Sequence, residues 1–90
     1  MVMKNEIMIF KIEDTTITNE KTGEVQDYKI VNYLVRVGKD YEHFQCYVKA
    51  KFSNILEKHK LKFVQAEIEQ RVVKNSIKLY LKSVNNESCR

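Results

Sequence analysis

Ninety residues suffice for one hydrophobic core and leave no room for a second independently folded domain. Apolar residues at 43% and charged residues at 31% exclude a disordered chain, and no apolar run approaches the roughly 18 residues that span a bilayer. The +4 formal charge, carried mostly by lysines, favours polyanionic partners without proving one.

The first predicted strand runs from Ile7 to Thr18, rich in β-branched residues, and ends at Asn19-Glu20-Lys21-Thr22-Gly23, where Asn and Gly supply turn chemistry. The second, Val25 to Val37, is apolar on both parities: Val31, Tyr33, Val35 and Val37 alternate with Tyr28, Ile30, Asn32, Leu34 and Arg36. Such a strand suits a curled sheet shared by two parts of one core. After Gly38-Lys39-Asp40, the third strand extends from Tyr41 to Ala50, with Phe44, Cys46 and Val48 expected inward. The period then changes. Phe52, Ile55, Leu56 and His59 fit a short helical face, with Ser53 or Asn54 as cap and an imperfect capping box from Asn54 to Glu57.

The fourth strand, Phe63 to Val73, places Val64, Ala66, Ile68 and Val72 inward and Gln65, Glu67, Glu69 and Arg71 outward. Lys74-Asn75 makes a tight turn into the fifth, Ser76 to Val84, whose Ile77, Leu79 and Leu81 face in. Phe10 and Phe63 are also expected in the core. Residues 1–84 thus form a single domain, and 85–90 read as a polar tail that frays. The fold class is mostly β: a β-β-β-α-β-β order with one short helix between strands three and four, matching a five-stranded OB-like barrel.

Catalysis finds no support. There is no Gly-rich phosphate loop and no nucleophile motif, and the adjacent carboxylates Glu13 and Asp14 point to opposite faces of a strand, so neither an enzyme nor a cofactor is expected. Cys46, Cys89, His43 and His59 lack metal-ligand spacing, and the two cysteines read as reduced thilos of a cytosolic protein rather than a disulfide.

Binding finds more. The outward parity of strand three reads His43, Gln45, Tyr47, Lys49, and that of strand five reads Lys78, Tyr80, Lys82. Aromatic rings between cations on two strands are what unspecific single-strand binding uses, rings for bases and cations for phosphates. Tyr28, Tyr33 and Arg36 of strand two and Lys11 of strand one extend this surface. The same residues also suit an ordinary solvated sheet face, and Glu67 and Glu69 should repel phosphates unless strand four lies away from the groove.

In length, strand order and the stretch Tyr41 to Val84, the chain resembles the small single-stranded DNA-binding proteins of phages and other mobile elements, including the filamentous-phage gene-five type. The resemblance implies an OB-like groove binding single-stranded DNA, or less readily RNA, without base specificity, often as a homodimer that coats strands during replication or transfer in a bacterial cytosol. It implies stacking by Tyr28, Tyr33, Tyr47 and Tyr80 and phosphate contacts by Arg36, Lys49, Lys78 and Lys82. The alternative is a protein-binding module or inhibitor using a sheet edge or the Glu67/Glu69 face.

Overall fold

A single long strand, β1 (Val2–Thr18), organises the molecule. The computed structural model describes residues 2–90. Along Ile7–Thr18, β1 pairs antiparallel with β2 (Val25–Val37), and along Val2–Met8 its other edge pairs with β4 (Phe63–Val73). A bulge between Ile9 and Lys11 lets one strand serve both halves of the sheet, since the extra residue bends the strand and increases its twist. It also reverses the parity: Ile7 and Ile9 point inward before the bulge, Ile12 after it.

Next to β2 lies β3 (Asp40–Lys49), and next to β4 lies β5 (Ser76–Val84). The barrel closes where β3 meets β5 in parallel, with Tyr47 opposite Tyr80. Between β3 and β4 the chain makes a 3-10 turn, Ala50–Phe52, and a short helix α1, Ser53–Lys58. The result is a closed five-stranded OB-like barrel with one short helix between the third and fourth strands. Ile7, Ile9, Val31, Cys46, Ile68, Leu81 and Val84 fill its interior together with Leu56 from α1. No helix among the described residues is long and apolar enough to cross a membrane.

The bounds of β2, β4 and β5 agree with the sequence pattern because turn residues delimit them. Lys74 and Asn75 both take positive φ, 49° and 64°, as a two-residue hairpin loop of matching twist requires. Other expectations fail for identifiable reasons. Val72 and Ile77 are 75% and 63% exposed, because the β4–β5 hairpin runs past the end of β1, whose pairing stops at Val2 opposite Glu69. Alternation persists there with no opposing layer to bury it. Phe44 is exposed too, its ring stacked 6.0 Å from that of Tyr33 at the barrel's rim. Phe10 and Phe63 are only half-buried, and neither belongs to the core. The helix has no side-chain cap bond; Ser53 Oγ instead donates back to the Ala50 carbonyl.

The largest correction concerns the C-terminal residues, which do not fray. Asn85 and Asn86, at φ 47° and 67°, turn the chain into β6 (Glu87–Ser88), which pairs with β5. Cys89 then donates its backbone N–H to Lys82 and is 4% exposed. Burial pushes its thiol up to about 11 and raises that of Cys46 further, so both stay protonated, unreactive hydrophobes. Glu87 fastens this segment to α1: His59 Nε2 lies 2.6 Å and Lys58 Nζ 3.0 Å from its carboxylate oxygens.

The hydrogen bond from His59, then that from Lys58, holds the Glu87 carboxyl below the usual carboxylate range. A pKa lowered by folding contributes stability above the ordinary carboxylate value and loses it as pH falls through the native value. The thermal midpoint should therefore drop as the pH falls below the ordinary Glu value of about 4.3 and through the lower native one, and Glu87→Gln should be less stable at neutral pH with a shallower acid drop. Parallel acid profiles for the two proteins, measured by circular dichroism melts, would remove Glu87 as a fastener.

Candidate nucleic-acid interface

The β2–β3 register sets the outer face residue by residue. Tyr28 sits opposite Lys49, Ile30 opposite Tyr47, Asn32 opposite Gln45, Leu34 opposite His43, and Arg36 opposite Tyr41. All ten belong to the parity that points away from the core, where Val31, Cys46 and Val48 are buried. Three groups occupy this face in sequence.

The first lies at the seam between β3 and β5. The rings of Tyr47 and Tyr80 are 5.9 Å apart and tilted by 39°. Lys78 Nζ stands 5.7 Å from the Tyr47 centroid, and the Arg71 guanidinium 4.4 Å from that of Tyr80. Tyr47, Arg71 and Tyr80 line a cleft of about 270 Å³ together with Tyr28, Lys49 and Lys82, and Lys78 stands beside it against Tyr47. The expected Tyr28, Tyr47, Lys49, Lys78, Tyr80 and Lys82 thus come together. Burial raises the Tyr80 phenol above its ordinary value, against the pull of Arg71, so the ring stays neutral.

Not every cation there is free. Lys82 is mostly buried and lies 3.7 Å from Glu69, which also pairs with Arg71. The hydrogen bond from Arg71 lowers the Glu69 carboxyl, with a smaller contribution from Lys82. Glu67 accepts a bond from Ser83 Oγ and lies 4.0 Å from Arg90. The fourth-strand carboxylates are thus matched by neighbouring groups, and Lys49, Arg71, Lys78, Lys82 and Arg90 around the seam outnumber Glu69.

The second group is a polar network at the centre of the face. Asn32 is 2% exposed although its side chain points outward, because Lys11, Glu13, His43 and Gln45 cover it. Its Nδ2 donates to Glu13 Oε1 at 2.8 Å and to the Lys11 carbonyl at 3.3 Å. Its Oδ1 accepts from Gln45 Nε2 at 2.8 Å and pairs with His43 Nε2 at 3.1 Å. His43 also meets the Phe10 ring edge-on, with centroids 5.1 Å apart. The third group, nearer the β2–β3 turn, has the Arg36 guanidinium 5.8 Å from the Tyr41 centroid and 5.2 Å from that of Phe63, with the two rings stacked. Tyr41 and Tyr47 are six positions apart along β3, about 20 Å of extended strand.

Tyr33 does not belong to the surface. It is 2% exposed inside the barrel, and burial raises its hydroxyl far above the ordinary value. Tyr28 and Tyr33 are an odd number of residues apart on one strand, so only one of them can face out. Arg71, Asn32, Glu13, Tyr41 and Phe63 are partners that sequence reasoning does not count among the binding residues, although it places Arg71 on the outward parity of the fourth strand. The signal for Arg71 was present: the Lys74-Asn75 turn places it opposite Lys78, beside Tyr80.

The chain matches no family model, no curated protein and no solved structure.

The central network is fully satisfied, which makes its hub expensive to remove. Asn32→Ala should lower unfolding stability by about 1–3 kcal/mol in urea, the range for stranding buried polar partners, without altering the cooperativity of unfolding. A change within about 0.5 kcal/mol would mean that solvent replaces Asn32 freely.

Proposed function

We infer that this chain binds single-stranded nucleic acid, DNA before RNA, with little dependence on sequence. The observation that carries the reading is the seam cleft, where Tyr28, Tyr47 and Tyr80 sit among Lys49, Arg71 and Lys82, with Lys78 beside Tyr47, on an OB-like barrel. Rings at this spacing can stack on unpaired bases of any identity, and the cations follow the backbone. The Arg36–Tyr41–Phe63 group extends the track to the other end of the same face, about 20 Å away, which corresponds to a few extended nucleotides. A duplex offers no exposed ring faces to such a surface. A role in coating strands during replication or transfer of a phage or mobile element, from the host cytosol, accords with this reading and with the resemblance in length and strand order.

A second reading rests on the β4–β5 hairpin, where Val72 and Ile77 lie directly across from each other and are largely exposed. That strip suits a protein contact, including a second copy of this chain in a homodimer. Sedimentation with and without oligonucleotide separates the two: protein-only self-association that ignores oligonucleotide supports the hairpin as the working surface.

Fluorescence anisotropy with labelled oligo-dT, oligo-rU and a duplex across a salt series tests the leading reading. Single-strand affinity should be submicromolar at low salt and fall with a log–log slope of about −2 to −3, as three or four phosphate contacts give. Tyr47→Ala with Tyr80→Ala should cost a few kcal/mol of binding, at about 1–3 kcal/mol per stacked base. Tyr33→Phe, in the core, should leave affinity unchanged. Undiminished binding by the double variant sinks the seam as the stacking site.

A further inference from the structure

A buried asparagine at the centre of an otherwise unspecific binding face has a chemical meaning, set by which atoms it leaves pointing outward. The four bonds to Asn32 allow only one arrangement of its amide. Nδ2 faces a carbonyl and a carboxylate, which can only accept, so the amide oxygen must face Gln45 and His43. Gln45 therefore spends its NH2 group on Asn32 and presents Oε1 to solvent, and His43 Nε2 has to donate. Glu13 uses Oε1 on Asn32 and keeps Oε2 free, with its side chain 42% exposed. Lys11 Nζ, 4.0 Å from Glu13, offsets the carboxylate's charge toward an approaching strand.

The outward result is a row of hydrogen-bond acceptors, Glu13 Oε2 and Gln45 Oε1, between two aromatic groups and held by a buried hub. We propose that this row selects guanine among the bases that cross the face; the inference rests on the nucleic-acid reading above and adds a specificity element to it. Guanine offers two adjacent donors, N1–H and the N2 amino group, along its pairing edge, and the free acceptors of the row, Glu13 Oε2 and Gln45 Oε1, offer a partner for each. Thymine offers one N–H flanked by two carbonyl oxygens, which the acceptor row repels. Adenine and cytosine each set one amino donor beside a ring-nitrogen acceptor. Glu13 is thus the discriminating residue, Gln45 extends the row, and Asn32 is a positioning residue that fixes which atom each presents.

The test is anisotropy with short oligo-dT strands in which one central thymine is replaced by guanine, hypoxanthine, adenine or cytosine. A flexible strand can slide until its one distinctive base sits on the row. The guanine strand should bind about five- to tenfold more tightly than all-thymine, the lower end of the range for a paired contact because the site is open to solvent. Hypoxanthine, which lacks the N2 amino group, should fall between. Glu13→Gln should abolish the guanine advantage while all-thymine affinity holds or rises, since a negative charge leaves the face. Gln45→Ala should shrink the advantage in a protein that circular dichroism shows to be folded at the assay temperature. Equal affinity for all five strands, or a guanine preference that survives Glu13→Gln, overturns the assignment while leaving unspecific binding intact. Failure of even the all-thymine strand to bind removes the underlying reading and this one with it.

Discussion

Everything in this barrel depends on β1 being hydrogen-bonded on both edges. A strand of this length satisfies its backbone groups with β2 on one side and β4 on the other, and the bulge at Phe10 is the point where it turns from one task to the other. Without that extra residue the strand would have to stay straight and keep one parity. Ile7 and Ile9 could then not share a core with Ile12. The bend, with a second irregularity in the β4–β5 ladder between Glu67 and Ile68, brings β2–β3 and β4–β5 round until Tyr47 and Tyr80 meet.

That geometry also explains why the candidate binding groups share a face. In a closed barrel the outward residues of β2 and β3 share one outer face, and a neighbouring pair is fixed by register rather than by sequence proximity. Lys78 and Tyr47 belong to strands separated by a helix and a hairpin, yet the seam sets the cation beside the ring. The Arg71–Tyr80 pair arises the same way, through the β4–β5 ladder. Charge follows: the carboxylates of β4, which look like an acidic face in isolation, are matched by Arg71, Lys82, Arg90 and Ser83 once the ladder forms.

Strand identity was legible because turn residues and period-two alternation agree at nearly every boundary, as at Gly38 and Lys74-Asn75. Which face each residue takes was legible only where parity stays constant. It failed at the bulge, which no residue type announces, and at the β4–β5 hairpin, where alternation continues beyond the core. Tyr28 and Tyr33 were assigned to one surface although parity forbids it, and both parities of β2 are apolar enough that composition did not decide between them. The C-terminal residues looked polar and idle because Cys89 counts for little in an average. Its burial depends on the Asn85-Asn86 turn and on Glu87 finding His59, a contact between residues 28 positions apart.

The seam itself is thin, since β3 and β5 share one bridge where every other neighbouring pair in the barrel forms a long ladder. A barrel with one weak stave joint opens there first, as local openings follow the sparsest hydrogen bonding. The two tyrosines sit on opposite staves. A ligand that rests on both rings at once therefore acts as a hoop, and its binding free energy is shared between affinity and holding the barrel shut.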